Sequence, residues 1–174
     1  MATTPAATPT PAPPRTEPSA DQVLALLDRA QALARRAMDA GHHPFGALLV
    51  APDHATVLME QGNVDSVNHA EAVLARDAAR QFAPNVLWGC TLYTTVEPCA
   101  MCAGALIQAR VKRLVYGAPD ERAGAVASKF RICDTDFLNH RIQITSGVLE
   151  NECRELMQSF FRRRRPLSQG AFDN

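Results

Sequence analysis

Two short stretches, His69-Ala70-Glu71 and Pro98-Cys99-Ala100-Met101-Cys102, limit what this chain can become. A fold that joins them gathers one imidazole, one carboxyl and two thiols. Thiolate and imidazole are the ligands that zinc prefers. Three protein ligands, His69, Cys99 and Cys102, leave the fourth tetrahedral position open, which marks a catalytic rather than a structural zinc site. Either half alone is weak, because C-x-x-C occurs in many proteins. The joint pattern, H-x-E followed by P-C-x-x-C, is specific.

The order of elements around these stretches reads as follows. Val23, Leu26, Leu27, Ala30, Leu33, Ala34, Ala37 and Met38 recur at helical spacing and predict a first helix over 21–40, with Ser19 and Gln22 as a capping box and Gly41 at its end. Residues 45–51 read as a buried strand after Pro44. Residues 56–61 read as its hairpin partner across Pro52-Asp53. A second helix starts near His69, with Asn68 or Ser66 as its cap, and runs to about Phe82, where Pro84 stops it. His69 and Glu71 then lie on its first turn. Residues 91–96 are β-branched and aromatic and predict a central strand. Pro98 suits the opening of the next helix, which runs to about Arg110 and carries Cys99 and Cys102 on its first turn. One turn separates the two sulfurs, and the positive helix end favours thiolate. Residues 113–116 and 141–145 predict two more strands, separated by an irregular stretch over 117–140. A last helix covers about 150–165, with Cys153, Leu156, Met157 and Phe160 inward. Strands that alternate with helices predict an α/β sandwich around a mixed sheet.

Composition bounds the class. At 174 residues and 47% apolar content, the chain is one soluble domain with a real core. No apolar run approaches the roughly 20 residues of a membrane span, and the N-terminus lacks the apolar stretch of a secretory signal. Five cysteines without an export signal imply reduced thiols in a cytoplasm. Cys90, Cys133 and Cys153 read as small buried hydrophobes. Residues 1–20, rich in Pro, Ala and Thr, read as a disordered tail, and 166–174 as a flexible one. Net charge is zero but uneven: residues 1–98 carry 6 basic and 10 acidic side chains, whereas 99–165 carry 12 and 7. The C-terminal half can therefore face a polyanion.

Zinc lowers the pKa of a bound water from about 15.7 to near 7, and Glu71, two residues after His69, suits a proton shuttle rather than a fourth ligand. That pair of roles suits a metal-assisted hydrolysis, and attack of the hydroxide on the amidine carbon of a nucleobase would be hydrolytic deamination. Two blander readings compete with it. Cys133 or His140 could complete a closed structural zinc site in a nucleic-acid-binding module. Alternatively, Cys99 and Cys102 could be a redox pair, which leaves His69-Ala70-Glu71 unexplained.

Over about 21–165 the chain resembles the cytidine-deaminase-like superfamily, and within it the bacterial tRNA-specific adenosine deaminases and their free-base relatives. The H-x-E and P-C-x-x-C pair carries the likeness, extended by Tyr116-Gly117-Ala118-Pro119-Asp120, Asn139-His140-Arg141, Glu152-Cys153 and Phe160 to Arg165. The resemblance implies a three-layer α/β/α sandwich around a five-stranded mixed sheet. It implies one zinc on His69, Cys99 and Cys102, Glu71 as the catalytic shuttle, and a cytoplasmic homodimer that converts the wobble adenosine of a tRNA to inosine. It also implies substrate contacts at Asp120, near a ribose, and at the closing aromatic-basic helix. There Arg162, Arg163, Arg164 and Arg165 would meet phosphates and Phe161 would stack an unpaired base. Asn63 matches the family's pocket Asn. Phe45 departs from the tRNA enzymes and resembles the guanine, free-base and nucleoside deaminases, which leaves a small base or nucleoside as the alternative substrate.

Overall fold

The computed structural model describes residues 17–164. Helix α1 (Ala20–Asp39) opens on the expected capping box. The Ser19 side chain accepts from the Gln22 backbone, and the Gln22 side chain accepts from the Ser19 N–H at 2.8 Å. Gly41, at φ +90°, turns the chain away from the helix end. Residues 17–20, expected in the tail, therefore take part in the fold. Ser19 caps the helix, and Glu17 binds Arg113 through both carboxylate oxygens at 2.7 and 2.6 Å. The rest of the expected N-terminal tail and all of 166–174 lie outside the described residues, as does Arg165.

Five strands form one sheet: β1 (Gly46–Val50), β2 (Val57–Gly62), β3 (Thr91–Val96), β4 (Arg113–Ala118) and β5 (Gln143–Thr145), in the order β2-β1-β3-β4-β5. β1 pairs antiparallel with β2 and β3, whereas β3–β4 and β4–β5 are parallel, so the sheet is mixed. β1, β3 and β4 are buried along their whole length because both faces of the sheet are covered. The edges differ: β2 is half-buried and β5 is short and mostly exposed.

One face of the sheet packs against α2 (Ala70–Gln81), the short α3 (Pro84–Leu87) and α4 (Ala100–Ala109). Ala47, Leu49, Leu92, Leu114 and Tyr116 meet Leu74, Ala78, Leu87 and Leu106 there. The other face packs against α1 and α5 (Glu150–Arg164), through Leu48, Val50, Tyr93 and Val115 against Leu27, Ala30 and Cys153. Alternation along each strand divides the two cores, and the result is the expected three-layer sandwich. Each large side chain fully withdrawn from water contributes about 1.5–3 kcal/mol, and Leu27, Leu48, Leu49, Leu74, Leu92, Leu106 and Leu114 are in that state. α1 lies so close to β1 that a Cβ on Gly46 would stand 2.3 Å from the Ala30 carbonyl oxygen. Among the described residues no helix is long and apolar enough to cross a membrane.

Two boundaries differ from expectation. His69 itself is the N-cap of α2, with no side-chain cap bond, so neither Asn68 nor Ser66 caps it. Asp65 instead organises this turn by accepting from the Val67 and Asn68 backbones at 2.8 and 2.7 Å. Three donors, two from Asn68 and one from Val67, hold the exposed Asp65 carboxyl down at about 2. Likewise α4 begins at Ala100 with Cys99 as N-cap, which places Pro98 just outside the helix.

Candidate active site

α2 and α4 pack side by side with their first turns together. This is why two stretches far apart in sequence converge. His69 and Cys99 are the N-caps, Glu71 sits in the first turn of α2, and Cys102 sits in the first turn of α4. α4 starts where β3 ends, at the carboxyl edge where open α/β sheets place their ligands. His69 Nδ1 lies 3.6 Å from Cys99 Sγ and 3.5 Å from Cys102 Sγ. All three ligand atoms lie within 4.8 Å of one another, and this His-Cys-Cys group could hold a metal ion. Among the described residues no fourth His, Cys, Asp or Glu joins it. The two candidates for a closed site are placed elsewhere. His140 Nε2 meets the Val111 carbonyl at 2.8 Å with Trp88 edge-on to its ring, and Cys133 belongs to the apolar core.

Charge at the thiols follows their neighbours. The Cys102 thiol donates to Cys99 and, with His69, holds the Cys99 thiol down at about 4, while Cys102 is pushed up by that same bond and by burial. His69 is pushed up, first by its bond to Cys99. A cation between the sulfurs removes the competition, since coordinated thiols ionise together. The remaining cysteines are inert by contrast: burial pushes Cys90 and Cys153 up to about 11 and Cys133 up to about 12.

Glu71 is 5% exposed, and burial pushes its carboxyl up. Its two oxygens have different partners. Thr94 Oγ1 donates to Oε1 at 2.6 Å, and Cys102 Sγ lies 3.6 Å from Oε2. Thr94 was not legible as a site residue. The signal available was its phase on β3: Leu92, Thr94 and Val96 point to the α2–α4 side, and Thr94 is the polar member of that row.

Glu97 was also missed. It is 3% exposed, and its carboxylate accepts from the backbones of Asp120, Val126, Ala127 and Ser128 and from the Ser128 hydroxyl. The loop after β4 is thereby tied to the turn that carries Cys99. Cys99 pairs with Gly124 in an isolated bridge, and a Cβ on Gly124 would meet the Glu97 carboxylate at 2.4 Å. These donors hold the Glu97 carboxyl low against its burial. Glu97→Gln turns an all-acceptor group into one that presents an amide to backbone donors. It should cost about 2–4 kcal/mol of stability in chemical denaturation, since lost charged hydrogen bonds and an unsatisfied donor add. A denaturation midpoint equal to wild type would exclude this anchoring.

The proposed substrate contacts divide. Phe45, Asp120, Phe161 and Arg162 line one open cleft of about 590 Å³. The Phe45 ring lies 6.3 Å from the His69 ring and stacks on His43 at 5.8 Å. His43 also meets Phe160 and Phe161, and burial keeps its imidazole low. Asp120 Oδ1 accepts from the Arg122 and Ala123 backbones, so it shapes its own loop as well. Asn63 is buried beside Phe45. Its N–H donates to the Phe45 carbonyl, its Nδ2 donates to the Asp65 carbonyl, and its Oδ1 has no partner among the described residues. Phe160 is in the core and Phe161 is 41% exposed, as helical phase requires. Arg163 is exposed, whereas Arg164 donates to the Gly41 carbonyl at 2.5 Å and sits over the Phe160 ring.

A three-layer sandwich with His, Cys, Cys and an adjacent sealed carboxyl defines the hydrolytic deaminases of the cytidine-deaminase type. Comparison with known proteins is specific on this point. The model of the MafB19-like deaminase family matches residues 22–165. The tRNA-specific adenosine deaminase of Haemophilus influenzae is 41% identical over 147 residues, covering 82% of this chain and 80% of the relative. A structure from a study of A-to-I editing by tRNA:A34 deaminases superposes at TM-score 0.67 with 35% identity, over 76% of this chain and 98% of the other. Guanine deaminase from Nitrosomonas europaea shares the fold, at TM-score 0.63 and 23% identity over 88% of this chain and 96% of that one. The chain belongs to the MafB19-like deaminase family and is a deaminase.

Proposed function

We propose that this chain is a zinc-dependent, cytoplasmic tRNA adenosine deaminase that converts a wobble adenosine to inosine and works as a homodimer, its deaminase domain spanning 21–165. The observation that carries the reading is a solvent-sealed Glu71 beside the His-Cys-Cys group, next to a cleft walled by aromatic and basic side chains of the last helix. The names borne by the relatives supply the substrate.

The donor set fits zinc. Bonds of about 2.3 Å to sulfur and 2.0–2.1 Å to nitrogen at tetrahedral angles set S···N separations near 3.6 Å. The separations here are 3.6 and 3.5 Å. Bound there, zinc supplies Lewis acidity that brings the attacking water close to ionisation at neutral pH. The chain's own residues do the rest. Glu71 takes the proton from the water that adds to the amine-bearing ring carbon. It passes that proton to the adjacent ring nitrogen and then serves the departing ammonia. Thr94 fixes the carboxyl in the required orientation. Water and adenosine become inosine and ammonia.

Incubation with tRNA, free bases and nucleosides tests the assignment, with inosine at the wobble position and ammonia as readouts. Phe45, beside His69, favours a second reading as a deaminase of a small free base. Replacing Arg162, Arg163, Arg164 and Arg165 with Gln separates the two. On the tRNA reading, binding weakens and its salt dependence flattens, by about 0.7–0.9 log units per log unit of salt for each phosphate no longer neutralised. On the free-base reading no salt-dependent tRNA binding exists, turnover of guanine or cytosine does not depend on the arginines, and Phe45→Val loosens the pocket.

A further inference from the structure

α5 presents a second face that the reaction at the metal group does not use. Arg154, Met157, Gln158, Phe161 and Arg162 recur at helical spacing and all border the cleft, while Cys153, Leu156 and Phe160 take the core. The loop after β4 contributes Arg122, beside the carboxyl-bearing Asp120 and Glu121, so an anion would have to reach the arginines past those acids. Neither a metal ligand nor Glu71 lines this space, and Phe45, with His43 stacked on it, links it to His69. A base that reaches the metal group past Phe45 therefore leaves its attached sugar and phosphate in the cleft, whose volume of about 590 Å³ suits a nucleotide-sized group.

The arginines of α5 are not equivalent. Arg164 is engaged with the Gly41 carbonyl and the Phe160 ring. Arg154 lies about 2.8 turns nearer the start of the helix. Its Nη2 is positioned by Glu150 Oε1 at 2.5 Å, one helical turn away. A guanidinium carries five N–H donors, so this bond orients Arg154 and leaves donors for a second acceptor. A planar fork held in place is suited to a phosphate.

We propose that Arg154, with Arg122 of the same cleft, forms a phosphate-binding subsite for the nucleotide whose base reacts or its immediate neighbour. The proposal rests on the deaminase reading of the metal group and adds a determinant of substrate size to it. The phosphate can belong to an RNA strand or to a free nucleoside 5′-monophosphate, and the experiment distinguishes these sources.

The test measures binding to the zinc-loaded full chain carrying Glu71→Ala, so that no ligand is consumed. The probes are a labelled anticodon stem-loop and, in parallel, nucleoside 5′-monophosphates against the matching nucleosides. Adding Arg154→Gln should weaken stem-loop binding about tenfold or more and lower the salt slope by about 0.7–0.9. Arg154→Lys should restore part of the loss. A neutral methylphosphonate at one phosphate beside the wobble nucleotide should weaken the Arg154 protein by a similar factor and add little to the Arg154→Gln protein. Unchanged stem-loop binding in Arg154→Gln, or losses that multiply at every phosphate tested, would overturn the proposal. If the stem-loop is not bound at all, the tRNA reading fails and the second arm decides. A preference for monophosphate over nucleoside that disappears with Arg154→Gln assigns the subsite to free nucleotides. Equal binding of both removes it.

Discussion

A Glu71→Ala variant keeps its metal and loses about 10²–10⁴ of its turnover, the usual contribution of a positioned general acid–base group. The geometry separates this loss from misfolding. Glu71 is no member of the His-Cys-Cys group, and at 5% exposure its carboxyl is buried at a cost to folding. Removing it leaves Thr94 Oγ1 and the residue's own backbone N–H without the carboxyl acceptor but removes none of the three ligand side chains. Glu71→Gln gives the sharper control. It keeps the volume and can still accept from Thr94, yet it cannot carry a proton, so it should fall as far as Ala does. Inosine formation measured beside metal content decides the matter. Near-normal turnover in either variant sinks the shuttle role.

Cys102→Ser should abolish metal and activity together. Cys102 is fully buried at the first turn of α4, and its sulfur stands 3.5 Å from His69 Nδ1. A serine hydroxyl does not ionise near neutral pH and is a poor ligand for an ion that selects sulfur and nitrogen. The loss also reaches stability. A ligand present at a hundredfold to a thousandfold excess over its Kd stabilises the native state by about 2.7–4.1 kcal/mol. A chelator should therefore lower the melting temperature of the wild type and leave that of the variant where it was. A Cys102→Ser protein that retains full metal would show that the ligand set is wrong.

The residues behind both predictions were legible because their signals are local. Once the segment is helical, one turn lets Cys99 and Cys102 reach one ion, and the H-x-E pattern puts an imidazole and a carboxyl at the same helix start. The capping box of Ser19 and Gln22 and the apolar rows of α1, α2 and α5 are equally short-range. They reappear in the structure within about two residues. Met157 is the exception: expected inward on α5, it is half-buried and borders the cleft, because the packed face of the helix is narrower than the apolar row. The alternating order of strands and helices narrowed the architecture to a mixed α/β sandwich.

Tertiary packing decided what those signals leave open. Thr94 became the partner of Glu71 because α2, packed on β1 and β2, brings its first turn to the neighbouring strand β3, an approach across 23 positions. Glu97 became the anchor of the 120–128 loop because five donors converge on it from residues 23 to 31 positions away. The period of β3 marks Thr94 as a polar residue on one face but does not name its partner, and Glu97 leaves no period or spacing in the chain. The run of arginines read as one basic grip, yet packing turned Arg164 back onto the protein and set Arg154, outside the run, against the cleft. A helix fixes the angle between its own side chains. Only the layers packed around it determine which of those angles face the core, the solvent or the substrate.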